Sequence, residues 1–250
     1  MTPILETRGL GRAFGALQAV AGLSFAVPPG ELRAIIGPNG AGKTTLFHLI
    51  SGLLPPTTGR VLFRGDDVTA LAAPARCRRG ISRTFQITSV FPELTALENV
   101  RIAVQLKGRG SFRLVGGRAL LEATERRARE HLAFLGLLDR AEAPAATLPH
   151  GDQRLLEIAM ALAQEPELLL LDEPTQGLSP EDTAAAVAVI RRIARDRRLT
   201  IVLVEHDMDV VFDLADRISV LHFGQLIAEG TPAEIRANVE VQKAYLGGLD

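Results

Sequence analysis

Glycines, a lysine and two threonines are closely spaced in the run GPNGAGKTT. The run matches the pattern G-x-x-x-x-G-K-[ST] and lies between a predicted strand and a predicted helix, as a phosphate-binding loop requires. Its N–H groups would surround a phosphate, while Lys43 supplies charge and the Thr44 hydroxyl binds Mg²⁺. The alternative is a glycine-rich turn with a solvated lysine. The residues expected to bind a nucleotide here are Gly37, Pro38, Asn39, Gly40, Ala41, Gly42, Lys43, Thr44 and Thr45.

Two adjacent carboxylates end the apolar run LLLLDEP. Asp172 is suited to hold Mg²⁺ through water, and Glu173 is placed to polarise a water molecule that attacks a γ-phosphate. The alternative is that the two acids only begin a loop. Together with the glycine-rich run upstream, they favour a site for a nucleoside triphosphate.

Three apolar runs rich in branched residues must position these groups: LRAIIG (32–37), LLLLDE (168–173) and TIVLVEH (200–206). Each run is followed by a helical pattern, which is typical of buried parallel strands with functional residues at their carboxyl ends. Residues 1–30 instead contain the alternating pattern LSFAV and the turn PPGE, which predict antiparallel strands. We therefore expect an α/β fold with a mainly parallel sheet and an N-terminal antiparallel β subdomain.

The chain is expected to form a single domain over residues 1–250, with helical patterns interrupting the α/β core. Residues 1–88 and 166–230 predict the nucleotide-binding core with its β subdomain. Residues 89–165 predict an inserted helical subdomain. Residues 231–250 begin with a capping motif and predict a C-terminal helix.

Composition excludes several classes of protein. The 28 basic and 29 acidic residues give a net charge of −1, so no global field attracts nucleic acid, and no nucleic-acid partner is expected. The single cysteine, Cys77, rules out an internal disulfide framework and a cysteine-based metal cage. We find no apolar run of the roughly 18 residues that cross a membrane and no N-terminal secretion signal, so a cytoplasmic protein is expected.

The order of the motifs resembles the ATP-binding subunits of ABC transporters over nearly the whole chain. Besides the loop and the carboxylates, the family pattern is matched by Gln86 in TFQ, by LPHGD, by the loop TQGLSP and by His206 in VEHD. We refer to LPHGD as the signature segment, which consists of Leu148, Pro149, His150, Gly151 and Asp152. The family also has an early aromatic residue that stacks on the nucleotide, and Phe14 in GRAFG is either that residue or a core residue.

The resemblance implies a P-loop NTPase core that uses ATP and Mg²⁺. By this resemblance, Gln86 would contact Mg²⁺ and the attacking water, and His206 would hold the γ-phosphate. The alternative for His206 is a core residue, which is the commoner role of an isolated histidine. Each ATP is enclosed by the phosphate loop of one subunit and the signature segment of another, so a second ATPase subunit is implied. Two integral-membrane permease subunits and a periplasmic or extracellular solute-binding protein are also implied, which places the chain at the cytoplasmic face of the plasma membrane.

Within the family, GISRTFQ, FPELTALENV and VEHDMDVV look most like importers of branched-chain amino acids. Importers of urea or short amides, exporters and lipid-transport ATPases are the alternatives. A single cassette argues against soluble family members that act in DNA repair or on the ribosome, and the absence of an NKxD pattern argues against a GTPase. Residues 87–95 would present a docking groove for a permease helix, or else Val90, Phe91 and Leu94 are ordinary core residues.

The signature segment departs from the family pattern at one position. The family has a serine whose hydroxyl faces the γ-phosphate, and this chain has Pro149. Proline supplies neither a hydroxyl nor a backbone N–H, although it is well tolerated where a helix begins. We therefore expect an asymmetric heterodimer in which this chain's own loop and carboxylates serve the competent site, with a homodimer as the alternative.

Overall fold

The computed structural model describes residues 2–84, 90–107 and 117–246, so Gln86 lies outside the described residues. The strands in these ranges are β1 (Leu5–Phe14), β2 (Leu17–Val27), β3 (Leu32–Ile36), β4 (Thr58–Phe63), β5 (Asp66–Asp67), β6 (Ile81–Arg83), β7 (Leu168–Asp172), β8 (Thr200–Val204), β9 (Arg217–His222) and β10 (Gln225–Gly230). The helices are α1 (Lys43–Ser51), α2 (Ala73–Arg79), α3 (Ala96–Lys107), α4 (Gly117–Phe134), α5 (His150–Ala163), α6 (Pro180–Arg197), α7 (Met208–Leu214), α8 (Pro232–Arg236) and α9 (Val239–Leu246).

The larger sheet has six strands within the described residues, in the order β10-β9-β3-β8-β7-β6. Neighbouring strands run parallel except for β10, which pairs antiparallel with β9. Every residue of β3, β7 and β8 is buried, because apolar clusters cover both faces of this part of the sheet. The predicted parallel strands are confirmed, and their carboxyl ends lie along the same edge.

The smaller sheet is antiparallel, with the order β2-β1-β4-β5, and confirms the predicted β subdomain. Helix α1 packs between the two sheets. Leu46, Phe47 and Ile50 of α1 share one buried cluster with Leu5 of β1 and Ile35 of β3. Apolar contacts on both sides therefore fix the helix that begins at the phosphate loop.

The described part of the chain between β6 and β7 is mainly helical, as predicted. Helices α3, α4 and α5 contact one another. Val100, Leu132 and Leu156 of these helices belong to the same buried cluster as Leu169 and Leu171 of β7. This packing agrees with an inserted helical subdomain, whose borders remain predictions. No helix in the described ranges combines the length and the apolar character needed to traverse a bilayer.

The C-terminal region differs from the single helix predicted for residues 231–250. A capping box at Thr231 starts α8, as expected. The helix then ends, and the Asn238 side chain accepts hydrogen bonds from the N–H groups of Glu240 at 2.9 Å and Val241 at 3.2 Å. An asparagine with these contacts caps a new helix, so the region forms the two short helices α8 and α9.

Candidate nucleotide-binding site

The phosphate loop connects β3 to α1 and is shaped by close backbone packing. Gly42 is the N-cap of α1 in the left-handed conformation, with φ of 99°, and no side chain caps the helix. A Cβ atom at Gly42 would lie 2.3 Å from the carbonyl oxygen of Ala19, and one at Gly37 would lie 2.2 Å from that of Leu221. Only glycine fits at these two positions. The first turn of α1 thus presents N–H groups and the positive end of the helix dipole to an anion.

Lys43 is buried at the start of α1, and its ammonium group lies against the phosphate loop. The Nζ atom donates hydrogen bonds to the carbonyl oxygens of Gly37 at 2.6 Å and Pro38 at 3.0 Å. Burial lowers the pKa of Lys43, while the charges of Glu173 and Asp172 act in the opposite direction. The structure therefore places the Lys43 ammonium group against the phosphate loop, and its contact with phosphate remains a prediction.

Glu173 follows β7 and is held in a strained conformation. The residue is 5% exposed, and its backbone is left-handed, with φ of 49°. Such a conformation persists in a residue other than glycine only where its surroundings enforce it, and here the Glu173 N–H donates to the carbonyl oxygen of Val204 at 2.9 Å. Glu173 Oε1 lies 2.8 Å from Nε2 of His206. The two predicted catalytic groups are in contact, and the His206 side chain is 44% exposed, so it is not a core histidine.

The phosphate loop and this pair of side chains face one cavity of about 540 Å³. The lining residues are Asn39, Glu173, Thr175, Gln176, Leu178, Thr183, Glu205, His206 and Asp207. Asn39 belongs to the loop after β3, Glu173 follows β7 and His206 follows β8. Three segments at the carboxyl ends of parallel strands therefore meet at one place.

A buried carboxylate that was not identified from the sequence connects two of these segments. Glu205 Oε1 accepts hydrogen bonds from the N–H and the hydroxyl of Thr175, at 2.9 and 2.6 Å. Its Oε2 accepts a hydrogen bond from the N–H of His206 at 3.0 Å. Glu205 is 4% exposed and ties the loop after Glu173 to the backbone of His206. The sequence shows only an acid at the end of an apolar run, which does not reveal its partners.

Asp172 is paired with an arginine that was also not identified. Asp172 is 1% exposed, and its Oδ2 accepts a hydrogen bond of 2.6 Å from Nη2 of Arg83. Arg83 is the last residue of β6, which lies beside β7 in the sheet. A basic residue at a strand end gives no sign of a partner 89 positions along the chain.

The side-chain oxygens of Asp172 and Thr44 are of the kind that binds Mg²⁺. Within the described residues, Asp172 Oδ1 is buried and has no hydrogen-bond partner. Thr44, in the first turn of α1, has an exposed side chain that carries a hydroxyl. Hard oxygen donors of this kind suit Mg²⁺, which commonly takes one or two protein ligands together with phosphates and water. Clusters of three or more His, Cys, Asp or Glu that suit a metal do not occur in the described residues.

Phe14 ends β1 and is 45% exposed, so the alternative assignment to the core is wrong. The Arg12 guanidinium carbon lies 4.8 Å from the centre of the Phe14 ring. Ala19, whose carbonyl oxygen packs against Gly42, is in the neighbouring strand of the same hairpin. The ring is therefore exposed on the hairpin whose second strand packs against the phosphate loop, and stacking on a nucleotide remains a prediction.

The signature segment begins α5. Pro149 is the N-cap, without a side-chain hydrogen bond to the first helical turn. Gly151 packs against α6, where an added Cβ would lie 2.9 Å from Cγ of Asp182. Asp152 Oδ2 is 3.9 Å from Nε of Arg140. Proline at this position is thus compatible with the fold, as expected.

The signature segment is not part of the cavity formed by the phosphate loop and Glu173. Leu148 is buried, whereas Pro149 and His150 are exposed. The His150 ring lies beside the loop before α6, since a Cβ on Gly177 would be 3.6 Å from His150 Nε2. Among the described residues, no hydrogen bond links this segment to the phosphate loop. The chain therefore exposes Pro149 and His150, and no residue of the signature segment lines its cavity.

Family comparisons agree with these motifs. The ABC transporter family model matches residues 20–176, and the model for the branched-chain amino acid ATP-binding cassette transporter matches residues 225–250. The high-affinity branched-chain amino acid transport ATP-binding protein LivG of Escherichia coli strain K12 is 41% identical over 255 residues, covering 98% of each chain.

Solved structures share the fold. An ATP-binding cassette of an ABC transporter in its ADP conformation gives a TM-score of 0.87 at 31% identity, covering 99% of this chain and 100% of that one. A dimeric cassette in a post-hydrolysis state with ADP and phosphate gives a TM-score of 0.78 at 28% identity, covering 91% of this chain and 98% of the other. The likeness thus extends over nearly the whole of each chain.

Proposed function

This chain belongs to the ATP-binding proteins of ABC transporters, and on that premise we propose that it powers the import of branched-chain amino acids. It is an ABC transporter ATPase. The likeness to LivG over the full length and the match of residues 225–250 support this cargo. Urea and short amides are the alternative cargoes that an experiment must separate from it.

The cavity that joins Asn39, Glu173 and His206 is the observation that supports ATP hydrolysis at this chain's own residues. The Lys43 ammonium group exchanges its two carbonyl partners for phosphate oxygens. Glu173 orients and polarises a water molecule toward the γ-phosphate. His206, whose backbone is held by Glu205, gives up its contact with Glu173 and donates to the γ-phosphate instead.

Bound Mg²⁺ would supply positive charge that offsets the negative charge developing on the phosphates. Thr44, Asp172 and Gln86 are the residues that would hold it. The side-chain oxygens of Thr44 and Asp172 support the first two assignments. The assignment of Gln86 rests on the family pattern, because this residue lies outside the described residues.

The chain works as part of an ABC transporter complex, and a related cassette is known as a dimer. We propose that its partner is a different ATPase subunit with a complete signature segment. The exposed position of Pro149 supports this arrangement, because a segment that the chain does not use in its own cavity is available to a partner. The missing hydroxyl would weaken only the site on the partner.

Two permease subunits and a solute-binding protein are the remaining proposed partners, and the permeases would hold the chain at the cytoplasmic face of the membrane. A groove of about 510 Å³ between the core and the helices α3 and α5 supports docking of a permease segment. Phe91 and Leu106 line this groove and are 49% and 58% exposed, so Phe91 is not an ordinary core residue. Val90, by contrast, packs against the core, and residues 87–89 lie outside the described residues.

The test is transport into proteoliposomes that contain the chain, its partner ATPase and the permeases, with ATP on the side of the ATPase subunits. The solute-binding protein and labelled leucine, urea or a short amide are supplied on the other side. We expect ATP-dependent uptake of leucine, and we expect Glu173→Gln in this chain to abolish most of it. Uptake of urea or the amide without leucine would overturn the cargo and leave the ATPase assignment intact.

A further inference from the structure

The pair formed by Arg83 and Asp172 is among the most deeply buried ion pairs of the described residues. The two side chains are 5% and 1% exposed, and the distance between Nη2 and Oδ2 is 2.6 Å. A guanidinium at this distance makes a short charge-assisted hydrogen bond, which is strong where water is excluded. Asp172 is also the carboxylate proposed to hold Mg²⁺. The guanidinium of Arg83 therefore contacts the same carboxylate that would hold Mg²⁺.

Further contacts fix the position of the Arg83 guanidinium. Its Nη1 donates to the Ser51 hydroxyl at 3.3 Å, and its central carbon lies 5.6 Å from the centre of the Phe47 ring. Both residues belong to α1, the helix that begins at the phosphate loop, and Ser51 is its last residue. The negative end of the helix dipole also favours a cation there. The guanidinium thus lies between the end of α1 and the carboxylate at the end of β7.

We propose that Arg83 is an internal counter-ion that holds Asp172 in the absence of nucleotide and is displaced from it when Mg²⁺ arrives with ATP. This proposal rests on the proposed function, since it takes Asp172 as the metal-holding carboxylate. Two cations close to one buried carboxylate repel each other with little screening. Arg83 binds Oδ2 of Asp172 and leaves Oδ1 to the metal, so Arg83 and Mg²⁺ compete through the repulsion of their charges and not for the same oxygen atom.

Displacement of Arg83 by the metal would also change the groove proposed to bind a permease segment. Arg83 lines the groove of about 510 Å³ that also contains Phe91 and Leu106. It stands three positions before Gln86 in the same segment. Loading of Mg²⁺ and nucleotide would therefore change the charge at the groove.

The first test separates competition from simple positioning of Asp172. Fluorescent ADP is titrated onto the purified chain in EDTA and at increasing concentrations of Mg²⁺, for wild type, Arg83→Gln and Arg83→Lys. If the two cations compete, Arg83→Gln should lower the Mg²⁺ concentration that gives half of the maximal gain in ADP affinity by about fivefold or more. Arg83→Lys keeps a cation and should stay near wild type. Binding in EDTA, which depends on the phosphate loop, should not change.

The opposite result has an equally clear meaning. If Arg83→Gln needs the same or a higher concentration of Mg²⁺, the arginine only positions Asp172 and the proposal is wrong. If wild-type protein gains no affinity from Mg²⁺ at all, the proposed metal site itself fails. Arg33→Gln is the matched control, because Arg33 is a buried arginine whose ion pair with Glu31 at 2.5 Å lies outside the cavity. Its dependence on Mg²⁺ should equal that of wild type.

A measurement on the unchanged protein covers the case in which Arg83→Gln does not fold. NMR signals of the arginine side chains are recorded for the free protein, with ADP in EDTA and with ADP and Mg²⁺, and the Arg83 signal is assigned by its loss in Arg83→Lys. We expect this signal to move mainly when Mg²⁺ is added. A signal that stays in place after Mg²⁺ tightens ADP binding would overturn the proposal.

Discussion

The phosphate loop and the signature segment both begin a helix, but their surroundings differ. At α1, the backbone around Gly42 is packed too closely for any side chain, and Lys43 is 6% exposed. At α5, Pro149 and His150 are exposed. The phosphate loop contributes to a cavity of this chain, whereas the exposed residues Pro149 and His150 are available to a partner. This contrast supports the proposal that the chain contains most of one ATP site and offers a weaker contact to a second site on its partner.

The largest expected effect is the loss of ATP turnover when Glu173, in this chain's own cavity, is replaced. Glu173→Gln replaces a carboxylate by an amide that does not accept a proton, so ATP turnover should fall by about 10²–10⁴-fold while ATP binding is kept. Phosphate release and nucleotide affinity are measured for the same preparation. Glu181→Gln, an exposed acid in the first turn of α6, is the control and should behave as wild type. Turnover retained by Glu173→Gln would remove Glu173 from this role.

The second prediction tests the weak contact directly. In an assembled transporter in which Glu173→Gln has silenced this chain's own site, Pro149→Ser should raise the remaining turnover by up to about a hundredfold, because it adds a donor to the partner's γ-phosphate. Pro149→Ala restores a backbone N–H without a hydroxyl and separates the two contributions.

An unchanged rate in Pro149→Ser would show that the proline does not weaken the site. In a homodimer both sites would carry Glu173→Gln, and turnover would stay low with either residue at position 149. Native mass spectrometry of the assembled complex identifies that case by its subunit composition.

The same contrast explains how much was predictable from the sequence. The glycine pattern of the phosphate loop is local, and the apolar runs before Glu173 and His206 predict parallel strands whose ends must meet. Proline in place of serine was visible too, because one residue departs from a short pattern. Each of these features is recognised from a short stretch of sequence, and the family resemblance supplies the serine that Pro149 replaces.

Long-range side-chain pairs were not predictable in this way. The contacts of Arg83 with Asp172 and of Glu205 with Thr175 join segments that are far apart in the sequence. A charged residue near a strand end has many possible partners until the order of the strands is known. The break at Asn238 was missed for a different reason, because the helical pattern continues beyond it and only a side-chain cap interrupts it.

Glu205 should have a smaller effect than Glu173, because it acts through the position of His206. Glu205→Gln turns one of its acceptors into a donor that faces an N–H group, which costs about 1–3 kcal/mol and should lower kcat about tenfold. Nucleotide affinity should stay near wild type. Thr175→Val should show part of the loss, and Thr175→Ser, which keeps the hydroxyl, should show almost none. Equal losses of kcat and affinity would instead indicate general damage to the site.

The smallest expected effect is on the pH dependence of stability in the helical region that carries the signature segment. His131 of α4 is 8% exposed, and burial, together with the charges of Arg197 and Arg127, lowers its pKa to about 4 from an ordinary value of 6.5. Because the unfolded chain takes up the proton more readily, the stability that neutral His131 contributes is complete above pH 6.5 and is lost as the pH falls toward 4.

Lowering the pH from 8 to 6 should therefore reduce the free energy of unfolding by about 1 kcal/mol through His131. Urea unfolding at both pH values, compared with His131→Gln, isolates this contribution, since glutamine does not titrate. Hydrogen exchange should show that the loss appears first in α4 and α5, which pack on each other, and not in α1 at the phosphate loop. If His131→Gln keeps the whole pH dependence of wild type, the proton that destabilises the fold binds to another residue.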